Sequence, residues 1–175
     1  QMPCPLISSF YGSCLERGDD FFNFGIEPYA GHVTGICGLP NIADSLAAIQ
    51  KVIFTDKAAD MVELSQALAT NFEGREELLQ KFRDAPKFGN DLDEVDLIAR
   101  RVLLRSSQFV CKHHTWNGRK CAIGCIGMTV NIPYGEILGA MPDGRLAGEP
   151  LSEGGISPYP GRNVSGITAV LNSVA

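Results

Sequence analysis

Residues 139–175 read GAMPDGRLAGEPLSEGGISPYPGRNVSGITAVLNSVA, a stretch too rich in glycine and proline for a helix. Within it, PDGR at 142–145 predicts a tight turn, because proline presets φ and glycine accepts φ > 0. Charged residues recur along the irregular path that follows: Arg145, Glu149, Glu153 and Arg162. Long irregular segments in compact domains are usually functional or disordered, and the interspersed hydrophobic residues argue against disorder. We therefore expect an ordered segment with a function.

Several phrases in this stretch together resemble one family. PDGR, AGEPLSEGGISPYPGRN at 147–163 and SGITAVLNSVA at 165–175 are similar to the late barrel segment of the glycyl radical enzymes, the superfamily of pyruvate formate-lyase and the diol dehydratases. ADSLAAI at 43–49 and APKFGND at 85–91 extend the resemblance in the family's order. The resemblance implies an α/β fold, with residues 1–175 forming part of one pyruvate formate-lyase-like domain: a fragment of a ten-stranded barrel with surrounding helices.

The resemblance also implies a chemistry. Glycyl radical enzymes store an unpaired electron on a backbone glycine, pass it to a cysteine inside the barrel and use the thiyl radical to abstract hydrogen from substrate. We thus expect part of an oxygen-sensitive enzyme of anaerobic metabolism that cleaves a C–C, C–O, C–N or C–S bond of a small polar metabolite. GEPLSEGGISP favours lyases and dehydratases over a formate acetyltransferase. The alternative is a non-catalytic barrel fragment or pseudoenzyme that acts only by association.

Two motifs carry that chemistry in the family, and neither occurs in this sequence: G-C-hydrophobic-E and R-V-(S or A)-G-(Y or F). GCIG at 124–127 has glycine where the glutamate stands, and it follows ADSLAAI and APKFGND, whereas the catalytic loop precedes them. Cys125 is therefore not assigned as the thiyl cysteine, and no catalytic residue is assigned within the chain. Ile167 also replaces the proline of the family's G-P-T-A phrase.

The same resemblance supplies the expected partners. No cofactor is expected on the chain itself, because the glycyl radical is installed by an activating enzyme that uses S-adenosylmethionine and an iron–sulfur cluster. That radical SAM enzyme, a small-molecule substrate and a second copy in a homodimer of the full-length enzyme are the implied partners.

Composition restricts the remaining classes. The chain is 45% hydrophobic and 20% charged with mean hydropathy of +0.03, and it has no apolar run long enough to span a bilayer. Its net charge of −5 gives no basis for nucleic-acid binding. Six irregularly spaced cysteines favour free thiols in a reducing cytoplasm. A first residue other than methionine and an end within an apolar run indicate a piece of something larger.

Hydrophobic periodicity and the residues that begin or end helices predict the local structure. Helices are expected at 6–18 with Cys14 on the buried face and Gly18 as the stop, at 59–70 closed by residues 71–74, at 76–84, and at 92–110 capped by Asn90 or Asp91. A helix from Asn41 to about residue 54 should bury the stripe Ile42, Leu46, Ile49 and Ile53, with Asn41 as N-cap. Short extended chain is expected near 32–36 and a strand at 125–132.

Candidate site residues come mainly from the resemblance. Asn131 and Tyr134 are expected where a strand ends at the substrate cavity, and the other cavity candidates are His32, Glu27, Val170 and Asn172. For His32 and Glu27 the alternative is a structural histidine and a solvated glutamate. Asp143, Arg145 and Glu149 are expected to be structural. A zinc site among the cysteines and histidines of 111–125 is the alternative to a surface turn plus strand, and no metal is expected.

Overall fold

The computed structural model describes residues 3–23, 25, 32–116, 118–125, 127 and 129–175. Helices and one pair of strands make up the regular structure, and the chain divides into two compact units. The first unit comprises Gln1–Thr34 and Phe109–Ala122, and the second comprises Gly35–Gln108 and Ile123–Ala175. Among the helices described, none is both long and apolar enough to cross a membrane.

The first unit begins with two short helices, α1 (Pro5–Ser8) and α2 (Gly12–Arg17), where the sequence predicted one. The Ser8 and Ser9 hydroxyls donate to the carbonyls of Cys4 and Leu6, a local bonding pattern that competes with continued helix. Two details are confirmed: Gly18 ends α2 in the left-handed region at φ 65°, and Cys14 is buried.

Strands β1 (His32–Ile36) and β2 (Cys121–Cys125) pair in a two-stranded sheet. The extended piece at 32–36 and the turn before β2 are confirmed, the latter by an antiparallel bridge between His114 and Lys120. The strand predicted at 125–132 is wrong. β2 ends at Cys125 and a helix, α7 (Asn131–Ile137), follows, because contacts from residues 145–151 override the local β-propensity.

In the second unit, α3 (Leu39–Ile49) continues as a π-helical segment, Gln50–Thr55. The prediction that Asn41 caps this helix is wrong, since the helix begins two residues earlier, after Gly38 at φ 77°. The predicted buried stripe is half wrong. Ile42 and Leu46 are 39% and 44% exposed, whereas Ile53 is buried. Small and polar residues take the inward face instead: Asn41, Ala43, Asp44, Ala47 and Ala48.

The helices that follow match the predictions closely. α4 (Met61–Ala69) begins with a capping box formed by Asp60 and Glu63, and α5 (Glu76–Asp84) follows a turn in which Asn71 and Phe72 have positive φ. Their apolar faces form one core cluster with the π-helical segment: Val52, Ile53, Leu64, Ala67, Phe72, Phe82 and neighbouring residues. Each large buried side chain contributes about 1.5–3 kcal/mol to this packing.

The long helix α6 (Asp93–Val110) packs Val95 and Ala99 against Ala43, Ala47 and Phe88. The prediction that Asn90 caps this helix is wrong. The Asn90 side chain instead accepts from the amides of Val164 and Ser165 and donates to the Arg162 carbonyl. The last described helix is α8 (Ile167–Val174). The prediction that residues 139–175 are too rich in glycine and proline for a helix is therefore wrong for α8, whose residues include neither glycine nor proline.

The PDGR turn predicted at 142–145 is confirmed. The Gly144 amide donates to the Met141 carbonyl at 3.0 Å, and the Met141 amide donates to the Arg145 carbonyl at 2.9 Å. Gly144 has φ of 88°, and a Cβ there would lie 2.5 Å from Cγ of Arg83. Glycine is therefore required at this position both for backbone conformation and for close approach to α5.

Candidate functional site

Seven of the described polar residues are buried in the second unit: Asn41, Asp44, Ser45, Lys87, Asp143, Arg145 and Ser152. Burying a polar group is costly unless it is hydrogen-bonded, so such a concentration requires a specific network. The residues come from four separated stretches of sequence, and three of those stretches are ADSLAAI, APKFGND and PDGR or their immediate neighbours.

Asp143 is the centre of this buried network and is fully inaccessible. One carboxylate oxygen accepts from Nδ2 of Asn41 at 2.7 Å and from Nη1 of Arg162 at 2.9 Å. The other accepts from the backbone amide of Arg145 at 2.9 Å. Asn41 continues the network, because its Oδ1 accepts from the Ser152 amide at 2.7 Å. A single carboxylate thus joins α3, the PDGR turn and the irregular path beyond it.

Arg145 is also fully buried, and its guanidinium bonds backbone carbonyls. Nη1 donates to the carbonyls of Gly135 and Glu149, and its distance to the Gly135 oxygen is 3.3 Å. Nη2 donates to the carbonyls of Leu138 and Gly139, and its distance to the Leu138 oxygen is 3.2 Å. Carbonyl oxygens at a helix end and in irregular chain can accept further hydrogen bonds, and the rigid fork of arginine can serve several of them at once. Within the described part of the chain its Nε has no acceptor.

The acids near Arg145 in sequence have other roles. The Glu149 carboxylate accepts from the Leu146 amide at 2.9 Å and so closes a local turn. Glu153 is exposed. The guanidinium of Arg145 contacts Glu149 through the backbone carbonyl. The carboxylates that face an arginine side chain in this network are those of Asp143 and Asp44, which lie 2.9 and 3.5 Å from Nη1 of Arg162.

Asp44 and Lys87 add charges to the same region. Asp44 accepts from the Phe88 amide at 2.7 Å and lies 3.5 Å from Nη1 of Arg162, yet burial raises its pKa to about 6. Lys87 donates to the carbonyls of Phe82 and Ala85 at 2.7 and 2.9 Å, and burial lowers its pKa to about 8. Each group therefore changes charge within two pH units of neutrality, which is unusual for aspartate and lysine.

Four of the six cavity candidates lie on two different helices. Asn131 and Tyr134 are one turn apart on α7, where Asn131 is half-buried with Nδ2 3.4 Å from the Leu151 carbonyl and Tyr134 is 48% exposed. Val170 and Asn172 are on α8, and Asn172 donates to the Asp91 carboxylate at 2.9 Å. His32 begins β1, but its side chain is outside the described structure, and Glu27 lies outside the described residues.

A groove of about 350 Å³ runs between α6 and α8 in the second unit. Phe88, Asp96, Arg100 and Ser173 are among its lining residues, with Asn172 at one side. Burial raises the pKa of Asp96 there. Asn172 lines this groove, whereas Asn131, Tyr134 and Val170 are not among its lining residues.

The network contains no arrangement of nucleophile and base. None of the six cysteines forms a disulfide in the described structure, and burial raises the pKa of Cys37 and Cys125, which disfavours the reactive thiolate. Among the described residues, no three His, Cys, Asp or Glu side chains are grouped as ligands for a metal. The arrangement can hold backbone in place, and most of its hydrogen-bonding groups are used for that purpose. Within the described residues, Nε of Arg145 and the hydroxyls of Ser45 and Ser152 have no hydrogen-bond partner.

Sequence reasoning did not identify Asn41, Asp44, Lys87 or Ser152 as members of a site. A signal was present in NIADSLAA, where Asn41 and Asp44 are three residues apart and so share a helix face with alanines. Polar residues on the same face as small apolar ones favour a buried polar contact over a solvated surface.

Comparison with known proteins supplies the family context. Residues 1–135 match the family model described as pyruvate formate lyase-like. The chain is 39% identical to trans-4-hydroxy-L-proline dehydratase of Clostridioides difficile, with 99% of this chain and 22% of that protein covered. It is 38% identical to isethionate sulfite-lyase of Oleidesulfovibrio alaskensis, with 97% and 20% covered.

Solved structures give the same result. The glycerol-bound B12-independent glycerol dehydratase of Clostridium butyricum superposes with a TM-score of 0.86 at 37% identity, and the match covers 98% of this chain and 22% of that one. Hydroxyproline dehydratase of Clostridioides difficile with bound substrate gives 0.87 at 38% identity, with the same coverage. The chain therefore spans about a fifth of the length of the relatives it matches.

Proposed function

This chain belongs to the pyruvate formate lyase-like family of glycyl radical enzymes, and we propose on that premise that it forms part of the barrel of a radical lyase or dehydratase. Its α/β fold is the one found in the matching part of those barrels. The observation that carries the proposal is the network centred on Asp143. Three phrases that resemble the family meet there and hold an irregular path in one conformation.

The reaction class follows from the relatives. Those most similar include dehydratases for trans-4-hydroxy-L-proline and glycerol and a lyase that releases sulfite from isethionate, so elimination from a small hydroxylated substrate is the proposed chemistry. A segment whose described residues fix backbone, and to which no catalytic nucleophile is assigned, fits a barrel whose reactive groups lie elsewhere.

Within the chain, Asn131 and Tyr134 are the groups we assign to the substrate side. The tyrosine hydroxyl can both donate to and accept from a substrate hydroxyl, and the amide of asparagine offers the same two functions. Val170, Asn172, His32 and Glu27 remain secondary candidates. The thiyl cysteine and the radical glycine are placed outside this sequence, which has neither motif. A radical SAM activating enzyme is the proposed partner, and the complete enzyme is proposed to be a cytoplasmic homodimer.

The test uses the complete enzyme that contains this chain, activated without oxygen by its radical SAM partner. We expect the electron paramagnetic resonance doublet of a glycyl radical, its loss in air, and turnover of at least one substrate among glycerol, 1,2-propanediol, trans-4-hydroxy-L-proline and isethionate. The isolated 175-residue chain, treated identically, is the control and should give no doublet.

Two outcomes contradict the proposal in different ways. Absence of a radical in the complete, activated protein favours the pseudoenzyme that acts only by association. A radical accompanied by formate production from pyruvate and coenzyme A, with no elimination from the hydroxylated substrates, identifies a formate acetyltransferase instead.

A further inference from the structure

The short helix α7 is held almost entirely through its backbone. It has seven residues, too few to be stable alone, and Gly135 is the residue in it that is buried. A helix with so little buried side-chain surface takes its position from the groups that bond its main chain. Those groups lie in residues 145–151.

Each part of α7 has its own tie to that segment. At the first residue, the Leu151 amide donates to the Asn131 carbonyl at 3.0 Å. In the middle, the backbone of Gly135 lies so close to the next segment that a Cβ would be 2.3 Å from the Glu149 carbonyl oxygen and 2.6 Å from Cα of Pro150. At the end, Arg145 donates to the carbonyls of Gly135, Leu138 and Gly139.

Arg145 also donates to the Glu149 carbonyl, the same group against which Gly135 packs. One guanidinium therefore bonds both sides of this contact. The backbone of Arg145 is fixed by Asp143, which accepts from the Arg145 amide and is itself bonded by Asn41 and Arg162. A connected chain of hydrogen bonds thus leads from α3 to the end of α7.

We propose that Arg145 is a positioning residue: it holds α7 by its terminal carbonyls and thereby sets the location of the Tyr134 hydroxyl, without contacting substrate. Tyr134 directly precedes Gly135, whose carbonyl Arg145 bonds, and its side chain is 48% exposed, so the position of the side chain depends on this bonded backbone. The functional half of this inference rests on the proposed function, because it assumes that Tyr134 faces the substrate.

A lysine cannot replace this arginine. An ammonium is a point donor, whereas the planar fork reaches carbonyls on two sides at fixed geometry. Arg145→Lys should therefore release the end of α7. A displacement of about 1 Å at a group that orients substrate can lower a rate by as much as roughly a hundredfold.

The test uses the complete, radical-loaded enzyme. Arg145→Lys is compared with Arg83→Lys, a matched change of guanidinium to ammonium at a residue that donates to the Gly144 carbonyl, on the PDGR turn, at 3.1 Å. We expect faster amide hydrogen exchange over residues 131–138 in Arg145→Lys alone. We also expect kcat/KM to fall by about tenfold or more in that variant, with radical content unchanged.

A double-mutant cycle with Tyr134→Phe separates positioning from general loss of structure. If Arg145 acts through the tyrosine hydroxyl, the double variant should be little worse than the poorer single variant, since the second change removes a group already displaced. Independent, multiplicative losses in the cycle overturn the claim that Arg145 acts through Tyr134. Unchanged exchange over 131–138 in Arg145→Lys overturns the claim that it holds α7.

A second variant and a second readout separate the role of Arg145 from misfolding and from failure of the proposed function. If Arg145→Lys does not fold, Gly135→Ala displaces α7 from its other contact and should show the same local exchange and the same non-additivity with Tyr134→Phe. If the wild-type enzyme turns over none of the substrates, the proposed function fails, while the exchange measurement still decides whether Arg145 positions the helix.

Discussion

Asp143→Asn is the sharpest test of the buried network, because it changes charge and one hydrogen-bonding group with almost no change in volume. Asparagine offers one acceptor oxygen where the carboxylate has two. If that oxygen faces the Arg145 amide, the new NH₂ group faces the donors of Asn41 and Arg162, and the opposite orientation sets it against the Arg145 amide. Either way, at least one buried donor loses its acceptor.

The magnitude can be worked from these contacts. A hydrogen bond to a charged group contributes about 1.5–3 kcal/mol, and removing one partner of a buried ion pair costs about 3–5 kcal/mol. Arg162 retains Asp44 at 3.5 Å and its side chain is 14% exposed, which reduces the penalty. We therefore expect the free energy of unfolding to fall by about 3 kcal/mol.

The assay is thermal and urea unfolding of the complete enzyme, with Glu153→Gln as the control. That substitution removes the same charge at an exposed position in the same path, and it should change stability by no more than about 0.5 kcal/mol. An Asp143→Asn protein as stable as the Glu153→Gln protein would falsify the reasoning, since the carboxylate would then not be holding the path together.

Two further predictions follow from the same unit. Burial raises the pKa of Asp44 to about 6, above its unfolded value of about 3.9, so the native state binds the extra proton and this group's contribution to stability is lost as pH rises from about 4 to 6. Urea unfolding measured across this pH range should show the loss of stability in the wild type and not in Asp44→Asn. Gly135→Ala should destabilise the protein by about 1–3 kcal/mol, because its Cβ would lie 2.3 Å from the Glu149 oxygen. Gly139→Ala, where a Cβ would meet nothing within 4 Å, should leave Tm nearly unchanged, and equal losses in the two variants would contradict the packing argument.

The sequence predicted best where structure depends on near neighbours. The bounds of α5 at Glu76–Asp84, the stop at Gly18 and the PDGR turn were all predicted correctly. Each depends on residues within about one turn, such as a glycine that accepts positive φ. The family could also be predicted from the sequence, because several phrases occur in the family's order, and the match to the family model confirms that prediction.

The failures share a different cause. For α3, hydrophobicity placed Ile42 and Leu46 inside, but both are largely exposed, and the helix turns Asn41 and Asp44 inward. For α7, β-prone residues predicted a strand, but Leu151 and Arg145 bond the backbone as a helix. In each case the deciding partner is far away in sequence, so no local pattern contains it.

The sequence by itself determined the family, the PDGR turn and the positions of α4, α5 and α6, because φ preferences and hydrophobic periodicity are set by neighbouring residues. Only the tertiary structure decided what Asp143 and Arg145 bond. Asn41 and Asp143 are 102 residues apart, and their 2.7 Å hydrogen bond exists only once α3 and the PDGR turn pack together. Desolvation then makes each such contact obligatory, because a buried polar group without a partner costs more than the bond contributes.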